Sequence, residues 1–250
     1  MPKDDRSMYW FTEYYTYLTM FRAGLISQET LVAEYNDLIR EYCLSPVRNE
    51  SNERIIRDFW SDPRVQRLPY LRGFMLALNW NAAIQRASGE KRSLDDLMFD
   101  LMKTSDSGKR ELSPSLFAER ASQIVGRDVA GDFERQIERG ETIVPAADAL
   151  GSDVGLRMES LKTFELGFDL ENLSKTKEFS GVKPDTAAYR AGLRNGQKLI
   201  GGLSVALKDP TKQVELKVAD GNAEKIIKYL PAAAEPVSFP QFFILGKNVN

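Results

Sequence analysis

Phe164-Glu165-Leu166-Gly167-Phe168-Asp169-Leu170-Glu171 is where the hydrophobic period of this 250-residue chain changes. Phe164, Leu166, Phe168 and Leu170 alternate with Glu165, Gly167, Asp169 and Glu171, which predicts a half-buried strand. Everything upstream to about residue 140 carries its apolar residues at three- and four-residue spacing, the signature of amphipathic helices. The chain therefore reads as α+β, helices first and strands second, with the boundary near residue 150.

Downstream, Val214, Leu216 and Val218 alternate with Glu215 and Lys217, and Asp220-Gly221-Asn222 turns the chain into Ile227 and Tyr229, which predicts a hairpin. Between these strands, Pro184 to Leu193 reads as a short helix stopped at Gly192, followed by strand-like Lys198-Leu199-Ile200. Residues 1–150 are expected to form a helical domain and 151–250 a small β-rich domain with an apolar C-terminal tail. That tail, Phe239, Phe242, Phe243, Ile244 and Leu245, is expected to dock on the chain itself, since an exposed cluster of this size invites self-association.

In the helical part, Phe11, Tyr14, Tyr15, Leu18, Phe21 and Leu25 form an aromatic stripe on a helix ending near Gly24. Ser27 is placed to cap the next helix, with Leu31, Tyr35, Leu38, Ile39 and Tyr42 on one face. Residues 49–66 look broken by Pro63, with one short helix around Ile55 and Phe59. From Leu68 to Ile84 apolar residues surround most of the helix circumference, so this helix is expected at the centre, closed by Gly89. Ser93 and Ser113-Pro114 start two further helices, and Asp128 a last one that ends at Gly140.

A net charge of -2 with interspersed signs gives no electrostatic reason for a nucleic-acid partner or an anionic membrane surface. No apolar run is long enough to cross a bilayer, and Met1-Pro2-Lys3-Asp4-Asp5-Arg6 is too polar for a secretory signal. The compartment stays open. The single cysteine, Cys43, lies in a helical pattern and reads as a small buried hydrophobe. There is no histidine, so no Ser-His or Cys-His pair can form. Gly201-Gly202 lacks the following helix of a dinucleotide site, and Asp95, Asp96 and Asp100 read as a capping box with a solvated face.

A family resemblance emerges from several motifs taken in order. Val182 to Gln197 looks like the helix and following turn of a bacterial-type PDZ domain, and Leu166-Gly167-Phe168 is similar to its carboxylate-binding loop. Together with Trp10-Phe11-Thr12-Glu13, Arg22 to Ser27 and Leu68 to Gly73, the order resembles the C-terminal part of the glycyl-aminopeptidase family of zinc metallopeptidases. The resemblance implies a helical domain equivalent to the C-terminal half of a gluzincin catalytic domain, followed by a PDZ-like domain. It implies Glu13 as the third zinc ligand and Tyr70 as the phenol that donates to the oxyanion. It also implies Leu166, Gly167 and Phe168 as the peptide-binding loop.

The sequence departs from that family in ways that bear on chemistry. The H-E-x-x-H helix has no counterpart, and Glu13 runs directly into Tyr14-Tyr15 without the family's short insert. A lone carboxylate holds zinc poorly, and without zinc Tyr70 reads as a core tyrosine with a satisfied hydroxyl. No cofactor is expected in this chain, although the family uses zinc. The expectation is a truncated, catalytically inactive relative that retains a module for binding a peptide or a protein C-terminus. The alternatives are a fragment of an active zinc aminopeptidase completed by residues outside the chain, and a structural or regulatory interaction protein. The PDZ groove's second wall is expected between Ile200 and Val214, where Pro210 leaves room for about two helical turns.

Overall fold

The computed structural model describes residues 11–106, 108, 113–204, 209–221 and 223–246. The chain is α+β, with nine α-helices and two small antiparallel sheets among these residues. It forms two compact units: the described parts of Met1–Glu159 with Phe239–Asn250, and Ser160–Ser238.

The first unit is built around α4 (Pro63–Ser88), with α1 (Thr12–Arg22), α2 (Gln28–Leu44) and α3 (Asn52–Asp58) preceding it. Pro63 marks the expected break, since α3 ends at Asp58 and a new helix begins at this proline. It occupies the first turn of α4, where a missing N–H costs nothing, and the Asp62 side chain accepts from Arg64 N. The central helix therefore starts before the Leu68 expected from the apolar pattern. Pro69, inside it, has no N–H to return to Val65, and the helix tolerates one lost bond because the surrounding turns are buried on nearly every side. Gly89 closes α4 in the left-handed region at φ 60°.

Around α4 the apolar faces interlock as the sequence suggests. The stripe Leu31, Tyr35, Leu38, Ile39 and Tyr42 of α2 is buried, as is Cys43, whose thiol pKa is pushed up by burial. Tyr35 stacks edge-on against Phe74 at 4.9 Å and donates to Tyr14 O at 2.8 Å. Trp80 lies among Phe117 and Phe133 at 4.8 and 5.0 Å and donates to the buried Asp132 carboxylate, which Arg127 and Arg135 neutralise. α5 (Leu94–Asp106), α6 (Pro114–Val125) and α7 (Ala130–Asp132), the last continuing as π-helical turns over Phe133–Glu138, complete this layer.

Among the described residues, buried Arg72 has no carboxylate partner. Its guanidinium donates to Arg48 O at 2.8 Å, to Ile137 O at 3.3 Å and to Glu50 O, fastening the Arg48–Glu50 loop and the π-helical turns to α4, while burial pushes its pKa down. Gly140 is needed beside it, because a Cβ there would come within 2.5 Å of both Asn49 O and Glu50 O.

The expected apolar tail is a strand. β5 (Val237–Ile244) pairs with β1 (Val154–Leu161), and Phe239 and Phe242 are buried. Asn36 of α2 imitates a strand neighbour: its amide donates to Phe242 O at 2.9 Å and accepts from Phe242 N at 2.7 Å. Gly155 in β1 leaves room for the Phe243 ring, whose Cζ would lie 2.6 Å from an added Cβ.

The second unit holds an antiparallel sheet in the order β2 (Lys198–Ser204), β3 (Val214–Asp220), β4 (Ala223–Tyr229). The predicted hairpin forms with Leu216 opposite Ile227 and Asp220 opposite Ala223, although its turn residue Asn222 lies outside the described residues. Val214, Leu216, Val218, Ile227 and Tyr229 face a core shared with Phe168, Leu173, Phe179 and Leu193. α9 (Ala187–Arg190) is capped by Thr186, which accepts from Tyr189 N, and Gly192 follows at φ 97°.

The strand expected over Phe164 to Leu170 is not formed. Phe164 makes a single bridge to Ala232, Gly167 turns at φ 83°, and Asp169 caps α8 (Leu170–Thr176) by accepting from Asn172 N at 2.9 Å. Alternation alone does not reveal that Asp169 is a helix cap, and the cap bond favours a helix over a strand from Leu170 onward. Of the segment expected to wall a peptide groove, residues 201–204 belong to β2 and 209–213 are not helical, while residues 205–208 lie outside the described residues.

Candidate functional site

Glu13 lies in the first turn of α1, where a carboxylate is favoured by the helix dipole. Its carboxylate is paired with Arg67 of α4. The same guanidinium holds Glu41 of α2 through two bonds, Nε to Oε1 at 3.0 Å and Nη2 to Oε2 at 2.9 Å. Three helices thus meet at one cation, and the Arg67 pKa is held up first by the hydrogen bonds it donates to Glu41 and then, against burial, by Glu13.

Tyr70 sits on α4 three residues after Arg67, on the same helix face and half-buried. Glu13 and Tyr70 therefore belong to the packed pair of α1 and α4, with Arg67 the group that contacts Glu13. Arg67 and Glu41 escaped the sequence reading because nothing in a linear pattern links an acid at 13, an acid at 41 and a base at 67. The position of Arg67 one turn before Tyr70 was the available signal.

The zinc that the family resemblance implies does not fit these residues. Two imidazoles are required beside the glutamate, and the sequence contains no histidine. The group in contact with Glu13 is a guanidinium, a donor that cannot coordinate a cation. Among the described residues no three Cys, Asp or Glu side chains converge in a way that could hold a metal ion. Asp95 instead pairs with Arg22, Asp96 accepts from Ser93 N at 2.7 Å, and Asp100 lies 3.8 Å from Arg120.

In the second unit, Leu166, Gly167 and Phe168 form one loop. Gly167 is required there twice over: its φ is 83°, and an added Cβ would lie 2.8 Å from Ala188 Cβ and 3.1 Å from Thr186 Oγ1. Phe168 is buried and meets Phe179 edge-on at 5.0 Å, which fixes the loop on its core. Leu166 O accepts from Tyr229 Oη at 2.6 Å. The flanking amides are engaged, Glu165 N with Pro231 O at 2.8 Å and Asp169 N with Ser180 O at 2.9 Å. Among the described residues, the N–H groups of Leu166, Gly167 and Phe168 have no acceptor. Three successive donors, one at positive φ, are the backbone material from which anion-binding nests are made.

A solved structure of an aminopeptidase N family protein from Idiomarina loihiensis matches the chain with a TM-score of 0.53 at 13% identity. The match covers 96% of this chain and 47% of that one, so this chain spans about half the length of that protein. The fold is aminopeptidase-like. No family model matches the sequence, and no curated protein does. No helix among the described residues is long and apolar enough to cross a membrane.

Proposed function

We propose that this chain is a non-hydrolytic protein of aminopeptidase-like fold that binds peptide or protein C-termini through its second unit. The observation that carries the binding half is the run of three unpaired amides at Leu166, Gly167 and Phe168. A carboxylate accepts several hydrogen bonds at once, and successive backbone donors in a PDZ-like loop receive it in that way. The non-hydrolytic half is supported by the ion cluster at Glu13, where Arg67 supplies the positive charge that a gluzincin-type site takes from zinc. Tyr70 would then act as packing for α4, with no developing oxyanion to stabilise.

Calorimetric titration with paired peptides, one a free acid and the other its C-terminal amide, tests the binding reading. Binding by the acid alone is expected. Equal affinity for both, or for neither, removes it.

A second reading is favoured by the 47% coverage of the matched structure: the chain is part of a longer zinc aminopeptidase whose remaining ligands lie elsewhere. Zinc analysis and an aminopeptidase assay separate the two. Stoichiometric zinc with chelator-sensitive turnover supports the enzyme.

A further inference from the structure

The backbone on either side of the Leu166–Phe168 loop decides what shape of ligand it can take. Upstream, Phe164 is bridged to Ala232, Glu165 N donates to Pro231 O, and Ala233 N donates to Thr163 O at 2.9 Å. Downstream, Asp169 N is engaged by Ser180 O, and from Leu170 to Thr176 the chain is helical.

A peptide that adds as a strand needs alternate N–H and C=O groups from several extended residues beside it. In α8 those groups run along the helix axis, so they do not project sideways in the alternation that a strand ladder needs. The chain leaves α8 through Lys177 at φ 59°, and its next extended residues are already used against β2. Leu199 N donates to Lys177 O at 2.8 Å, and Phe179 N to Gln197 O at 2.9 Å. Of the loop's own carbonyls, that of Leu166 already accepts from the Tyr229 hydroxyl.

We infer that this loop takes its ligand end-on, recognising the α-carboxylate and final side chain of a peptide and not an extended segment. The inference rests on the carboxylate reading above and narrows it. Affinity resides in the terminal residue, and residues further from the C-terminus leave the protein surface without pairing. The ligand class is any accessible, flexible C-terminus, down to a dipeptide.

The test is calorimetry with free-acid peptides of about two, four and six residues that share their last two residues. It includes a six-residue version N-methylated at the third residue from the C-terminus. Each backbone hydrogen bond gained by strand addition multiplies affinity by roughly two- to tenfold, so several would be plain in the series. The expected result is that the free acids agree within about threefold and that N-methylation costs nothing, since no added hydrogen bond exists to lose. A steeper rise with length that N-methylation abolishes establishes strand addition and overturns the inference. Absence of binding by every free acid, or equal binding by the matching amides, is a different result: it removes the carboxylate reading itself and this inference with it.

Discussion

Arg67 holds Glu13 with one arm of its guanidinium and Glu41 with the other edge, so the carboxylate on α1 and the carboxylate on α2 share a single cation from α4. The Glu13 side chain retains 19% of its exposure and Arg67 34%, which places the pair between a screened surface bridge and a buried one. In that range removing one partner costs more than the pair itself is worth, because the survivor is left partly desolvated and uncompensated.

Arg67→Met is therefore expected to destabilise the first unit by about 1–3 kcal/mol, measured by urea unfolding, since it strands two acids near each other. Glu13→Gln should cost less, because the new side-chain amide keeps an acceptor for Arg67 and Glu41 still balances the charge. Combining the two changes should cost less than their sum, the sign of a direct interaction. Strict additivity would show that Glu13 and Arg67 do not act on one another.

Much of the helical unit was legible because its information is local. Ser27, Ser113 and Gly89 cap the helices they were expected to cap, and the faces of α2 and α4 bury the residues their spacing selects. Pro63 was legible as the break between α3 and α4, whereas its second role, opening α4 from the first turn beside the Asp62 cap, was not. The Phe164–Leu170 strand failed because Asp169 as a cap outweighs a two-residue period. The pairing of β1 with β5, residues far apart in sequence, has no local signature, and neither has the Glu13, Glu41 and Arg67 cluster.

Gly167→Ala separates backbone strain from close packing when set beside Gly196→Ala. Both glycines have positive φ, 83° and 85°, so each substitution costs about 1–2 kcal/mol for the left-handed conformation. Around Gly196 nothing lies within 4 Å of an added Cβ, whereas at Gly167 it would meet Ala188 and Thr186. Gly167→Ala is expected to cost about 2–4 kcal/mol and to weaken carboxylate binding, by thermal unfolding and calorimetry. Equal losses at the two positions would mean the loop relaxes away from α9.

Asn36 carries the edge of β5 through two bonds to the backbone of Phe242. Asn36→Leu keeps the size of the side chain and removes both partners, leaving a donor and an acceptor of a partly buried strand unpaired. The expected cost is about 1–3 kcal/mol, with faster hydrogen exchange at the Phe242 amide. Asn36→Asp should restore the acceptor for Phe242 N but set a carboxylate oxygen against Phe242 O, so it should protect that amide only in part. Unchanged exchange at Phe242 in the leucine variant would assign the strand's order to side-chain burial alone.

The tyrosines around α4 give the first unit an alkaline limit. Burial is the leading cause that raises the pKa of Tyr14 and of Tyr35 above the ordinary 10.0, because a phenolate would lie in the apolar core; Asp95 adds to the rise at Tyr14, and Tyr14 to that at Tyr35. With the folded pKa above the unfolded one, the unfolded chain loses these protons first. The stabilisation is whole below pH about 10 and declines as pH rises beyond it. Ultraviolet titration of tyrosinate should therefore show these two rings silent until a cooperative, far-ultraviolet-detected unfolding step. Tyr35→Phe removes one of the groups, at the cost of its bond to Tyr14 O, and should shift that step to higher pH relative to the variant's own neutral stability. Smooth ionisation of all tyrosines near their ordinary pKa with the fold intact would contradict the burial of Tyr14 and Tyr35.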